Sequence, residues 1–200
     1  KFFNPVHPDV QNYIFGLLED LAAYEDLDGI ILDRGRFYDF RSDFSDYTRS
    51  EFEKYIGKKV TMWPEDVLPV GHENGDFVPS PKPLYFMEWI EFRAKVIHDF
   101  MQQARATVKG VNPDVDFGAY VGGWYEQYYT YGPNWASPSY AASRVFPSWA
   151  TQKYDSFGFS DMLDVQIIGA YASYNAVYGN YEWSMQGFCR LAREKTRNAP

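Results

Sequence analysis

Two hundred residues with 46% hydrophobic and 23% charged content are enough for one globular core, and a formal charge of -8 argues against a nucleic-acid backbone as the main partner, because such binding needs clustered Lys and Arg. No apolar run reaches the length of a membrane span, and the opening "KFFNPVHP" lacks the apolar core of a signal peptide, so any export signal is expected outside this stretch. The single cysteine, Cys189, excludes an internal disulfide, and its place among apolar helix positions predicts a buried thiol.

From Pro8 to Tyr24 apolar residues recur at three and four, with Pro8 suited to a first helical turn, which predicts an amphipathic helix. It leads into "DGIILD", a continuous apolar run of the kind found in a strand buried on both faces. A polar stretch follows, with a short helix signalled by "TRSEFEKYIG", where Glu51 and Glu53 are spaced for capping boxes, and then the Pro-rich "VPSPKP". Next come a long helix ending at Gly110, a second strand in "NPDVDFGAYVGG", a third in "DMLDVQIIGAYAS" and a last helix in "YEWSMQGFCRLAREKT". Helix and strand alternate, which predicts an α/β fold with a parallel sheet and a ligand face at the carboxyl ends of its strands. Ile30, Leu32, Phe117, Val165 and Ile167 are expected on the inward face of that sheet. Two long excursions, at about 34–82 and 124–160, follow strand ends and suit walls or lids.

The chemistry centres on Asp33. A carboxylate costs several kcal/mol to bury unpaired, so its place after Ile30, Ile31 and Leu32 requires a partner or a use, and a strand end puts it on the ligand face. Arg34 and Arg36 are near enough in sequence to hold it ionised, which suits a nucleophile or base; an Asp-Arg pair that only pins the loop is the plainer alternative. Glycoside hydrolysis needs a second carboxyl group across a cleft, and Glu126 in "GGWYEQYY" is the candidate, with neighbouring rings to desolvate it; a solvated loop glutamate is equally in keeping with its setting. Aromatic residues make up 20% of the chain, and the polar, Gly-rich "GGWYEQYYTYGPNW" predicts rings that line a cleft, with Trp124, Tyr125, Tyr128 and Trp135 partly exposed beside Asp33. Asp39, Asp43 and Asp46 form an acidic set without EF-hand spacing, and His7, His72 and His98 lie far apart without a zinc motif. No metal or cofactor is expected.

The sequence resembles the bacterial glycosyl-hydrolase-like 10 group, secreted or envelope-associated (β/α)8 barrels related to carbohydrate-active enzymes. The resemblance is carried by "NPVHPDVQNYI", similar to that group's Asn-Pro-x-x-Pro opening of a barrel helix, by "LDGIILDRGRF", similar to its strand ending in Asp followed by Arg and an aromatic residue, and by "VDFGAYVGGWY" and "LDVQIIGAYASY". It implies a glycan-hydrolysing barrel with Asp33 and Arg36 on the active face and Tyr171 at a matching position. Arg34 stands where the group has a second acidic residue, and Ile168-Gly169 where Pro-Gln is common. The expectation is therefore that residues 1–200 form a central segment of a (β/α)8 barrel acting on a polysaccharide or cell-wall glycan outside the cytoplasm, the rest of the barrel coming from the same longer chain. In that reading Asp33 and Glu126 are catalytic and Arg34, Arg36, Tyr120, Trp124, Tyr125, Tyr128, Trp135 and Tyr171 contact the carbohydrate ligand. A non-catalytic carbohydrate-binding barrel is the alternative, and a complete small α/β domain is the alternative to the segment.

Overall fold

In the computed structural model, which describes residues 3–68, 78–79, 81–172, 177–179, 183–197 and 199, helix α1 (Pro8–Ala22) starts where the His7 side chain accepts a hydrogen bond from the Asp9 amide. Pro8 sits in the first turn, where a missing amide hydrogen costs nothing. Strand β1 (Gly29–Asp33) follows, and then α2 (Asp46–Ile56). Ser45, not a capping box at Glu51 or Glu53, starts α2, its side chain accepting from the Thr48 amide. Glu53 points elsewhere, to Lys59, Arg49 and the Val60 amide.

The long helix α3 (Phe86–Val111) is the spine of the molecule. Its buried residues Phe86, Trp89, Ile90, Arg93, Ala94, Ile97, Met101, Ala104 and Val108 repeat at three and four, so one stripe of the helix packs inward along its whole length. Gly110 does not end it: the helix runs one residue further, to the extended Asn112 that precedes Pro113. Strands β2 (Asp116–Gly122) and β3 (Val165–Gly169) complete a three-stranded parallel sheet in the order β1-β2-β3. Between them lie the one-turn helices α4 (Tyr125–Tyr128), α5 (Ala142–Val145) and α6 (Gln152–Asp155), and α7 (Met185–Thr196) follows β3. The expected start of that last helix at Tyr181 and Glu182 lies outside the described residues. Cys189 is exposed on α7, because the buried side of this short helix is set by Phe188 and Lys195 and Cys189 faces away from it.

Register decides what each face of the sheet does. Ile30 pairs with Phe117 and Leu32 with Ala119, and Phe117, Ala119 and Val121 are buried. Leu32 meets Ile14 of α1 and Ile97 and Phe100 of α3 around one cavity, so this is the helix-covered face. Ile30, Leu32 and Phe117 therefore lie opposite to the expected inward side. Successive strand residues alternate faces, which leaves Ile31, Gly118, Tyr120, Val165 and Ile167 on the other side, as their register partners require. There Ile31 and Ile167 are 38% and 42% exposed.

Both excursions are built, not loose. In the first, Asn4 of the opening motif donates to Asp43 and to Thr48, and Asp43 also accepts from Ser45 and Thr48, so this member of the acidic set is a structural hub. In the second, Tyr129 stacks on Trp149 with centroids 4.3 Å apart, and Trp149 meets Phe146, Tyr125 and Tyr154. Fully buried Arg93 ties the two together: its guanidinium donates to the Thr130 carbonyl at 3.0 Å and the Asp39 carbonyl at 2.6 Å and lies over the Phe37 ring. Burial pushes that guanidinium down to about 9, with the charges of Asp39 and Asp43 opposing, so it remains a cation at neutral pH.

Candidate functional site

Asp33 is the last residue of β1 and is exposed. The chain leaves it through Arg34 in the left-handed region, φ 55°, with the Arg36 amide donating back to the Arg34 carbonyl at 2.7 Å. A non-glycine residue with positive φ is uncommon and carries some strain, and here it turns the chain sharply away so that the carboxylate stands at the strand end. The expected arginine clamp does not form: the ion pairs among the described residues leave Asp33 out. Arg36 instead lays its guanidinium over Tyr131 at 3.9 Å and near Tyr128 at 5.9 Å from the ring centroids, with Nη1 buried and without a hydrogen-bond partner. Cation–π attraction with two electron-rich rings holds it there.

Across the sheet Asp33 is in register with Tyr120, so the two side chains rise on the same face. The Tyr120 hydroxyl shares a 2.7 Å hydrogen bond with that of Tyr171, and Tyr171 lies 5.5 Å from the Trp124 ring. Trp124 in turn meets Tyr128 edge-on at 5.8 Å. The Tyr120 phenol is pushed up from its ordinary value, first by the bond to Tyr171 and then by desolvation, with the charge of Asp33 adding. Burial raises the Tyr128 phenol; Arg36 opposes and Asp33 adds. Both rings therefore sit in the field of the Asp33 carboxylate and stay protonated donors at neutral pH.

Glycines make this surface possible. A Cβ on Gly122 would stand 2.6 Å from the Trp124 ring, and one on Gly169 would stand 2.7 Å from the Tyr120 hydroxyl and 2.8 Å from the Tyr171 ring. Bare strand ends are what let three rings gather beside Asp33.

The remaining sequence candidates divide. Trp135 is fully buried, edge-on to Tyr125 at 4.9 Å, and Tyr125 is buried with its hydroxyl on the Asn134 side chain at 2.8 Å. Neither is partly exposed, and Tyr128 is also buried, though its ring borders Trp124 and Arg36. The run that reads as too polar for an interior is mostly interior because Tyr125 bonds to Asn134, Thr130 to the Gln127 carbonyl and Asn134 to the Tyr154 carbonyl, and its rings pack edge to face. Glu126 is exposed on α4, but it borders a cleft formed with Trp124, Gln127 and Trp183, whereas Asp33 borders a larger one of about 360 Å³ with Arg34, Arg36 and the apolar residues between α1 and α3. That larger cavity lies on the helix-covered face of the sheet, opposite the face on which the Asp33 side chain rises with Tyr120. Tyr131 and Trp183 escape sequence reading: the first is one tyrosine among several in its run, and the second reads as the interior of the last helix.

Exposed carboxylate, hydrogen-bonded phenols and an indole face at the carboxyl ends of parallel strands suit a polyhydroxylated ring. The sequence profile of the glycosyl hydrolase-like 10 family matches residues 1–185. The chain belongs to that family. An S-layer-related protein of Niallia circulans is 32% identical over 181 residues, covering 85% of this chain and 11% of that protein. The glycoside hydrolase domain of PgaB (BpsB) from Bordetella bronchiseptica superposes with a TM-score of 0.57 over 98% of this chain and 47% of its own, at 16% identity, a likeness of fold. The chain thus spans about a tenth of the first relative and about half of the second. No described helix is long and apolar enough to cross a membrane.

Proposed function

We propose that this chain supplies part of the active face of a (β/α)8 barrel that hydrolyses O-glycosidic bonds in a polysaccharide or cell-wall glycan outside the cytoplasm. The observation that carries the reading is the exposed strand-end Asp33 in register with Tyr120 and flanked by the Tyr120–Tyr171–Trp124 surface. In this reading Asp33 acts on the anomeric centre, the phenols of Tyr120 and Tyr171 hold sugar hydroxyls, Trp124 stacks on a ring, and the Arg36 guanidinium over Tyr131 supplies a positive charge beside them. Glu126 is the proposed second carboxyl group, a role that requires it to stand within about 10 Å of Asp33 across one scissile bond. The barrel is supported by the sheet face bearing Ile31 and Ile167, left uncovered here, and by exposed Tyr13, Leu17 and Leu21 on α1 next to the edge strand β1, surfaces that further βα units would cover. The extracytoplasmic setting is supported by the S-layer-related relative.

The test is turnover. Asp33→Asn in the intact protein is expected to lower hydrolysis of a cell-wall glycan by about 10²–10⁴-fold while glycan binding persists. Unchanged turnover would sink the catalytic role. A non-catalytic carbohydrate-binding barrel is the second reading, favoured by Arg34 at the place of the family's second acid and by Glu126 bordering a cleft that Asp33 does not line; binding without product release from the wild type would establish it.

A further inference from the structure

The double glycine at the end of β2 clears two different walls. Gly122 makes room for the Trp124 ring; Gly123 makes room for Phe188 of α7, whose ring would lie 2.4 Å from a Cβ there. Phe188 backs Trp183 edge-on at 5.6 Å. The two indoles thereby border one cleft between α4 and α7, which Glu126, Gln127, Leu191 and Lys195 also line. Trp183 is 40% exposed although it adjoins the core, so much of its apolar surface is left facing solvent.

We propose that this cleft is a second saccharide-binding subsite, reached by a chain that continues from Asp33 across Trp124. The inference rests on the glycan reading of the Asp33 site and extends it to a polymer. Trp124 belongs to both places: it meets Tyr171 and Tyr128 of the Asp33 surface and also lines the cleft. Ring faces beside a carboxylate and a carboxamide match the amphipathic character of a sugar, whose axial C–H groups stack while its equatorial hydroxyls seek hydrogen bonds. The cleft is a small, open one of about 100 Å³, so it takes one edge of a sugar ring and leaves the rest of the polymer in solvent. A subsite of this kind adds affinity for long chains and none for short ones.

The experiment measures binding of the intact protein to β-1,4-linked N-acetylglucosamine disaccharide and hexasaccharide and to solubilised cell-wall glycan strands. Trp183→Ala is expected to weaken binding of the longer probes about tenfold, the size of one lost stacking contact, and to leave disaccharide binding and the melting temperature unchanged. Trp183→Phe should restore most of the loss. If Trp124→Ala weakens every probe and Trp183→Ala weakens none, the subsite is overturned and the glycan reading stands. If the wild type binds no probe of either length, both are overturned.

Discussion

The two excursions that leave the sheet differ in how much charge they use. The first, after β1, packs Phe44, Phe52 and Trp63 on Trp89 of α3 and adds charged and polar hubs: Asp43 gathers Asn4, Ser45 and Thr48, and nearly buried Glu53 gathers Arg49, Lys59 and the Val60 amide. The second, after β2, is held mainly by neutral rings, Tyr125, Tyr129, Trp135, Trp149 and Tyr154, with carboxylate contacts where Asp155 accepts from Ser143 and Glu91 of α3 accepts from Thr151. A charged hub is directional and answers to pH; a packed ring cluster answers to volume. Both excursions should therefore answer to removal of a buried ring, and acid should damage the first more than the second.

The largest expected effect is on the ring cluster. Trp135→Ala leaves a cavity where a fully buried indole stood and should cost about 3–5 kcal/mol in denaturant unfolding. A loss below about 1 kcal/mol would mean that the second excursion does not depend on its packing. Trp124, in the same sequence run but half-buried on the outer side, separates the two roles: Trp124→Ala should cost less than about 1 kcal/mol of stability while weakening glycan binding by about 1–3 kcal/mol. Large destabilisation with binding intact would return Trp124 to the core.

The smallest effect is the acid response of the first excursion. Lys59 foremost, then the Val60 amide and Arg49, lower the Glu53 carboxyl to about 2. A carboxyl group with a depressed folded-state pKa stabilises the fold above its unfolded value, about 4.3, and that contribution fades as pH falls from there toward 2. Melting temperatures followed from pH 6 to pH 2 should show this loss in the wild type and a shallower acid limb in Glu53→Gln. Parallel acid limbs for the two proteins would remove Glu53 from the account.

Much of this was legible in residue order. Apolar spacing locates α1, α3 and all three strands, because a helix stripe repeats at three and four and a buried strand reads as a short continuous apolar run, and the strand-end position of Asp33 follows from where "GIIL" stops. The faces of the sheet were not legible: a strand that is apolar throughout has no alternation to say which side meets the helices, so Ile30 and Leu32 could be told from Ile31 only by register. Nor could sequence separate Trp124 from Trp135, since hydroxyl-rich aromatic runs suit a cleft and a hydrogen-bonded interior equally well.

The sequence alone determined the elements, their order, the parallel α/β arrangement and the carboxylate at the end of β1, all of which depend on neighbours a few residues apart. Tertiary structure decided the rest, because it depends on what residues far apart in the chain bring to one another. Arg36 lies over Tyr131 and not beside Asp33; Tyr171 meets Tyr120 across a glycine; Cys189 faces solvent; and Glu126 opens onto a cleft of its own with Trp183.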